Sequence, residues 1–281
     1  MASKSNYGKP INGQAVATKI LDSLRVFIKG HNLSPELNIF LDKDNTISSG
    51  YVEKKLLTGK DLGISVLIHT IDKADNTDSL MSRIKEVSKN NPDSGIMVQL
   101  PLSDQFDTEA ILTSIPSKQD VDVLNRGGIN SVFTQPVAGA ISELLDYVGY
   151  NVKTLIDLPK DSIHVVGAGY LVGQPVIEWL KSIGVNPVIY RQGDSLSRLL
   201  DAKIVISGTG QAHIIKPQHV TIGAVLIDAG TTSDSGELLG DIDPACYDKS
   251  SFYTPVPGGV GPVTLAVLMR NVTSLVYRKS L

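Results

Sequence analysis

The sequence offers almost no sulfur chemistry. Its single cysteine, Cys246, has no second thiol for an internal disulfide, and no thiol cluster exists to hold zinc. That usage points to a reducing compartment, and the expected location is the cytoplasm. Charge of one sign is equally scarce: 26 Lys and Arg against 29 Asp and Glu leave a net charge of −3. Without a polybasic stretch there is no electrostatic footprint for nucleic acid or an anionic membrane. The opening MASKSNYGKP lacks the apolar centre of a secretion signal, and no apolar run approaches bilayer length. None of His31, His69, His164, His213 and His219 falls at a spacing that suggests a metal site or a Ser–His couple. Structural or solvent roles are expected for them, and no metal. DKDNTISSGYVE lacks the glycine that a calcium loop needs at its sixth position.

What is present reads as alternation. A chain of 281 residues exceeds one ordinary core, so two domains are expected. Residues 13–29 place Val16, Ile20, Leu24 and Phe27 on one helical face. Strand patterns at 37–42, 64–70 and 95–101 then alternate with helical patterns at 49–62, 78–89 and 107–115. Residues 136–148 read as a bridging helix. A second alternation follows, with strands at 162–166, in NPVIYR, AKIVISG and AVLIDAG, and a helix over 172–183. The expected fold class is α/β. An N-terminal α/β catalytic domain (1–146) is completed by a returning C-terminal helix (262–281), and a doubly wound Rossmann-type domain spans 147–261.

VVGAGYLVGQP leaves a strand and opens a helix, with Gly167, Gly169 and Gly173 at G-x-G-x-x-x-G spacing. Such glycines let backbone approach a pyrophosphate at the helix N-terminus. The alternative is a tight strand-to-helix turn without a ligand. The next strand ends in Tyr190 and Arg191, where an NAD site usually has an acid. Arg191 suits a 2′-phosphate and so NADP; Asp194 nearby keeps NAD possible.

Three further signals carry chemistry. Tyr51 and Lys55 stand four residues apart, so they share a helix face. A lysine beside a phenol in a partly dry site can act as acid or base; the plainer reading is a surface helix. Gln99 lies at the C-terminal end of a predicted strand, the edge where open sheets bind ligands. Asp120 or Asp122, in QDVDVL, is suited to accept paired N–H donors of a ring such as a pterin, or to cap a turn. Finally, TPVPGGVGPVT crowds prolines and glycines before the last helix, either as a turn or as a loop lying against a flat ligand.

Taken in order, SSGYVEKK (48–55), GIMVQLPL (95–102), QDVDV (119–123), VVGAGYLVGQP (165–175), LLGDID (238–243) and TPVPGGVGPVT (254–264) resemble the bifunctional methylenetetrahydrofolate dehydrogenase/methenyltetrahydrofolate cyclohydrolase family. The resemblance implies a folate site in a cleft between two α/β domains. It implies oxidation of 5,10-methylenetetrahydrofolate by NAD(P)+, then hydrolysis to 10-formyltetrahydrofolate, a homodimer and a link to purine biosynthesis. By position it makes Lys55 the catalytic lysine, Tyr51 the ring-packing tyrosine, Gln99 the lysine's partner and Asp122 the pterin holder. Folate would also meet Ser48, Val98, Leu100, Pro257, Gly258, Gly259, Val260 and Gly261. The cofactor would meet Gly167, Ala168, Gly169, Tyr170, Gly173, Arg191 and Thr231. The sequence departs from the family where Ala168-Gly169 replaces Arg-Ser, TQPV (134–137) replaces PCTP, and DAGTT (228–232) replaces DVGIN. Competing readings are a cyclohydrolase alone, a shikimate- or amino-acid-type dehydrogenase, and a non-catalytic folate- or nucleotide-binding protein.

Overall fold

The computed structural model describes residues 8–42, 46–125, 133–234 and 237–277. In chain order the elements are β1 (Lys9–Pro10), α1 (Gly13–Gly30), β2 (Glu36–Asp42), α2 (Thr46–Leu62), β3 (Ser65–Ile71), α3 (Thr77–Asn90), β4 (Gly95–Val98) and α4 (Thr108–Ser114). Then come α5 (Pro136–Tyr147), α6 (Val152–Ile156), β5 (Ile163–Val166), α7 (Gly173–Ser182), β6 (Val188–Tyr190), β7 (Ile204–Ser207), β8 (Val225–Asp228), β9 (Thr232–Asp234), β10 (Glu237–Leu239), β11 (Phe252–Tyr253) and α8 (Val260–Tyr277). The expected strands and helices all occur, with ends shifted by one to three residues. The two-residue strands β1 and β11, the short α6 and the β9–β10 hairpin were not foreseen, because segments so short show no periodicity.

The chain divides into two compact units. One holds the chain up to Thr18 together with Val137–Thr264; the other holds Lys19–Pro136 and the chain from Leu265. The division falls at Pro136/Val137, where sequence reading drew it at 146/147, so α5 counts with the dinucleotide sheet.

In the second unit, a parallel sheet runs in the order β3-β2-β4. The chain leaves the central β2 to one side for β3 and returns to the other side for β4. That reversal opens a crevice at the C-terminal edge between β2 and β4, the usual ligand position in open α/β sheets. Leu37, Ile39 and Met97 from the sheet meet Leu24 and Ile28 of α1, Val52 and Leu62 of α2, and Leu268, Met269 and Val272 of α8 in one core. α3 starts on a capping box: Ser79 N–H donates to Asn76 Oδ1, and Asn76 N–H donates to Ser79 Oγ.

α8 corrects one expectation. By length and composition this 18-residue helix is apolar enough to cross a membrane, whereas the linear reading found no such run. Its hydroxyls hid the pattern. Thr264, Thr273 and Ser274 each donate to the carbonyl four residues earlier, so they interrupt the sequence without making the helix surface strongly polar. Ala266, Val267, Leu268, Met269 and Val272 are buried, as in the core helix of a globular unit.

The first unit carries a six-stranded sheet in the order β1-β11-β8-β7-β5-β6. All its pairings are parallel. Here the chain starts at β5, adds β6 on one side and crosses back to add β7 on the other, so the reversal lies between β5 and β7. The loop after β5 contains Gly167 and the loop after β7 starts at Gly208.

Candidate active site

Lys55 owes its environment to the pattern of α2. Val52, Gly59 and Leu62 are buried, and Lys55 falls on the same stripe at spacings of three and four residues. A cation is thus placed on the face that an amphipathic helix turns to its core. Lys55 Nζ donates to Gln99 Oε1 at 2.5 Å. Gln99 is the first residue after β4 and its own N–H donates to Phe40 O on β2, which fixes it at the sheet reversal. Its Nε2 donates to Leu100 O at 3.0 Å, so the amide oxygen is the atom turned to the lysine.

Asp122 completes the group. Burial pushes Lys55 below the usual lysine value, with the Asp122 charge opposing. Burial raises Asp122, with Lys55 opposing. Each group therefore makes the other's charge tolerable in a site that disfavours both. The structure also separates the two aspartates that the sequence left equivalent. Asp120 is buried and spends both oxygens on backbone, accepting from Val123 N–H at 2.9 Å and Asn125 N–H at 2.7 Å. Its carboxyl is pushed up to about 6, chiefly by burial. Asp122 is the one that faces the lysine electrostatically.

The other substrate residues are distributed as follows. Tyr51 is 40% exposed, and the ammonium near its ring is that of Lys54, 5.7 Å from the centroid. Val98 is buried at the end of β4 and Leu100 is half-buried beside it. Ser48 lies in the first turn of α2, and its side chain is outside the described residues. In the first unit, the loop before α8 needs two of its glycines for its own shape. Gly258 has φ +105°, and a Cβ at Gly259 would fall 2.6 Å from Pro255 O. Gly261 has open space at its Cβ position, Val260 is buried and Pro257 follows a cis bond.

The glycine loop of the first unit is a cradle that a side chain would fill. A Cβ on Gly173, the first residue of α7, would lie 2.0 Å from Gly167 O, whereas Gly169 faces open space. Gly167 N–H donates to Tyr190 O, and Gly208 N–H donates to Val166 O. Backbone packed this closely at a helix start and a sheet reversal fits a dinucleotide pyrophosphate. Ala168 and Tyr170 are half-buried in this loop. Tyr190 is buried and turned to His164. Its hydroxyl donates to His164 Nδ1 at 3.0 Å, because His164 Nε2 must donate to Asp161 O. Arg191 is exposed and Asp194 Oδ2 accepts its backbone N–H, closing a turn. The Asp194 carboxylate is thereby engaged, while no hydrogen bond or ion pair holds the Arg191 guanidinium among the described residues. Thr231 is exposed beside Gly210.

Two acids that sequence reading did not select organise this edge. Asp241 accepts from Ser207 Oγ, Thr209 N–H and Gln211 N–H. Asp228 accepts from the N–H groups of Gly230, Asp241 and Ile242. The signal was an aspartate ending the apolar strand VLID, which resembles a turn residue until its burial is known. Burial and the Asp241 charge push Asp228 up to about 7, against its backbone hydrogen bonds. A raised carboxyl stabilises the fold below the unfolded value near 4, and this is lost as pH rises through 7. Asp228→Asn should therefore gain up to about 4 kcal/mol relative to the parent between pH 4 and pH 8. Urea unfolding at both pH values measures this, and a constant difference would refute it.

Comparison with known proteins agrees with both halves. Residues 11–122 match the catalytic domain of tetrahydrofolate dehydrogenase/cyclohydrolase and residues 137–280 match its NAD(P)-binding domain. The bifunctional protein FolD of Hydrogenobaculum sp. is 32% identical over 93% of this chain and 96% of its own length. The FolD crystal structure from Campylobacter jejuni superposes with a TM-score of 0.87 at 28% identity, over 96% of this chain and 99% of that one. The Trypanosoma brucei FolD, complexed with NADP cofactor and inhibitor, gives a TM-score of 0.84 at 25% identity, over 96% and 98%. With both domain matches in order along one chain, and its α/β fold shared almost end to end, this protein belongs to the tetrahydrofolate dehydrogenase/cyclohydrolase family.

Proposed function

We propose that the enzyme oxidises 5,10-methylenetetrahydrofolate with NADP+ and hydrolyses the methenyl product to 10-formyltetrahydrofolate. The observation that carries this reading is the Lys55–Gln99 hydrogen bond beside Asp122 at a sheet reversal, in a chain of this family. Asp122 would accept the paired N–H donors of the pterin, and Tyr51 would pack on the ring system. Val98, Gln99 and Leu100 would supply further folate contacts.

The chemistry suits a lysine that burial makes less basic. Loss of hydride leaves a cation on the folate, which a neighbouring ammonium would oppose. Lys55 in its neutral form avoids that conflict. During hydrolysis the amine takes a proton from water attacking the methenyl carbon and passes it to the ring nitrogen as its bond to that carbon breaks, while the remaining O–H proton leaves to solvent as the formyl carbonyl forms. Gln99 keeps the amine aligned for both transfers. When bound, the nicotinamide supplies the hydride acceptor; Gly167, Ala168, Gly169, Tyr170 and Gly173 would hold the pyrophosphate side.

A spectrophotometric assay with 5,10-methylenetetrahydrofolate, run separately with NADP+ and NAD+, tests the reading. Reduced nicotinamide and 10-formyl product are expected. Failure of both steps would end the proposal. Hydrolysis of methenyltetrahydrofolate supplied directly, with no oxidation of the methylene form, would leave a cyclohydrolase alone.

Cofactor choice rests on Arg191. Its free guanidinium and the engaged Asp194 favour a 2′-phosphate over a bare ribose. Arg191→Ala should raise the KM for NADP+ about tenfold or more, leaving that for NAD+ within about twofold. Equal effects on both cofactors would remove Arg191 from this role. We also propose a cytoplasmic homodimer whose formyl product serves purine synthesis. The buried lone Cys246 supports a reducing compartment, and light scattering of the purified protein tests the dimer.

A further inference from the structure

We propose that Asp120 and Asn271 are positioning residues that aim Asp122 at Lys55. This inference rests on the dehydrogenase/cyclohydrolase reading above and names how that site is held. Asp122 itself has neighbours pinned on both sides. Before it, Val121 O accepts from Asn271 Nδ2 at 2.8 Å, and the same nitrogen donates to Thr134 O at 2.8 Å. After it, Val123 N–H donates to Asp120 Oδ1 and Asn125 N–H donates to Asp120 Oδ2. The two clamps come from different elements, one from α8 and one from the loop itself.

The base of the segment is also fixed. Ile96 N–H on β4 donates to Gln119 O at 2.7 Å. Gln119 Nε2 donates to Asn91 O and Ser94 O, and Gln119 Oε1 accepts from Ser88 Oγ. Asp122 thus projects from a platform tied to the strand that also delivers Gln99.

Backbone conformation shows that the hold is tight. Val123 has φ +56°, a region that a β-branched side chain avoids. Such a conformation persists only where its surroundings determine it. The Asp120 carboxylate determines it from one side, and Val123's packing against the core does so from the other. Asn271 is 4% exposed on an otherwise apolar helix face. An apolar residue would pack there without needing partners; the amide instead ties the carbonyl next to Asp122, that of Val121, and also that of Thr134. No hydrogen bond joins Asp120 or Asn271 to Lys55 or Gln99 among the described residues, so their influence on the site passes through Asp122.

A double-mutant cycle on the full chain tests this. The probe is tetrahydrofolate, titrated anaerobically by calorimetry into the parent, Asn271→Ala, Asp122→Ala and the double variant. Asn271→Ala should weaken binding about tenfold in the parent background and less than about twofold once Asp122 is gone. Affinity for NADP+ should stay unchanged throughout. Equal weakening in both backgrounds, or none in either, would overturn the inference. Should Asn271→Ala fail to fold, Asp120→Asn keeps the volume and one acceptor and is expected to show the same pattern. Failure of both variants to fold would also overturn it, since the contacts would then serve the fold alone. A parent that binds no tetrahydrofolate, or an Asp122→Ala variant that binds it undiminished, would instead sink the functional reading and this inference with it.

Discussion

Lys55→Met is expected to abolish methenyltetrahydrofolate hydrolysis while tetrahydrofolate binding persists. Methionine keeps the length of the stem on the buried stripe of α2 and removes only the nitrogen and its charge. A positioned acid–base group is worth about 10²–10⁴-fold, so the catalysed rate should fall to near the background of the buffer. The Gln99 oxygen loses its donor, which costs about 1–3 kcal/mol if it stays buried and unpaired. Release from burying an amine offsets part of this, so the thermal midpoint should move by only a few degrees. The parent's rate should also inflect at a pH below the ordinary lysine range, since burial lowers Lys55, and the variant should lose that inflection. Hydrolysis that continues at the parent rate would show that another group carries the proton.

Gly173→Ala should have the opposite selectivity. The new methyl would sit 2.0 Å from Gly167 O, 2.6 Å from Gly167 C and 2.9 Å from Ala168 Cα. All three are backbone atoms, so no side chain can swing away, and the loop or the start of α7 must shift. Overpacking of this kind costs about 1–3 kcal/mol of stability. A displacement of about 1 Å in a positioning loop costs on the order of 100-fold in rate. Dehydrogenase activity should therefore collapse. Hydrolysis, carried by Lys55 and Gln99 in the other compact unit, should stay within about twofold of the parent, because substitutions without shared partners act independently. Following both activities on the same purified protein measures the contrast. Parallel loss of both would mean that the glycine pair supports the whole fold and not the cofactor.

How far these features were legible in the sequence depended on their range. Gln99 could be read because a polar residue ending an apolar strand sits at the ligand-binding edge of a parallel sheet. Lys55 could be read through its helical spacing from Tyr51, but its burial could not. That comes from Val52, Gly59 and Leu62 facing a core assembled from distant segments. Asp120 and Asp122 look alike in QDVDVL; the hydrogen bonds that separate them depend on a local turn and on the left-handed Val123. Asp228 and Asp241 lie 13 residues apart, joined through Asp241 N–H, and no periodicity announces such a pair. At 167 and 173 the glycines accompany a close approach of backbone to backbone. At 258 and 259 the loop's own conformation and packing already require glycine, so composition alone does not separate a tight turn from a loop that lies against a ligand.

Discontinuity has a consequence for manufacture on the ribosome. The core around Leu37, Ile39 and Met97 is finished by Leu268, Met269 and Val272, while the intervening Val137–Thr264 belongs to the other unit. At about 5–20 residues per second, a nascent chain waits roughly 7–27 s between Pro136 and Met269 with that core unsealed. During this interval the three-stranded sheet presents apolar surface that α8 will later cover. Chaperones that shield such surface would raise the yield of the newly made protein more than they aid its refolding from denaturant, where every segment is available at once.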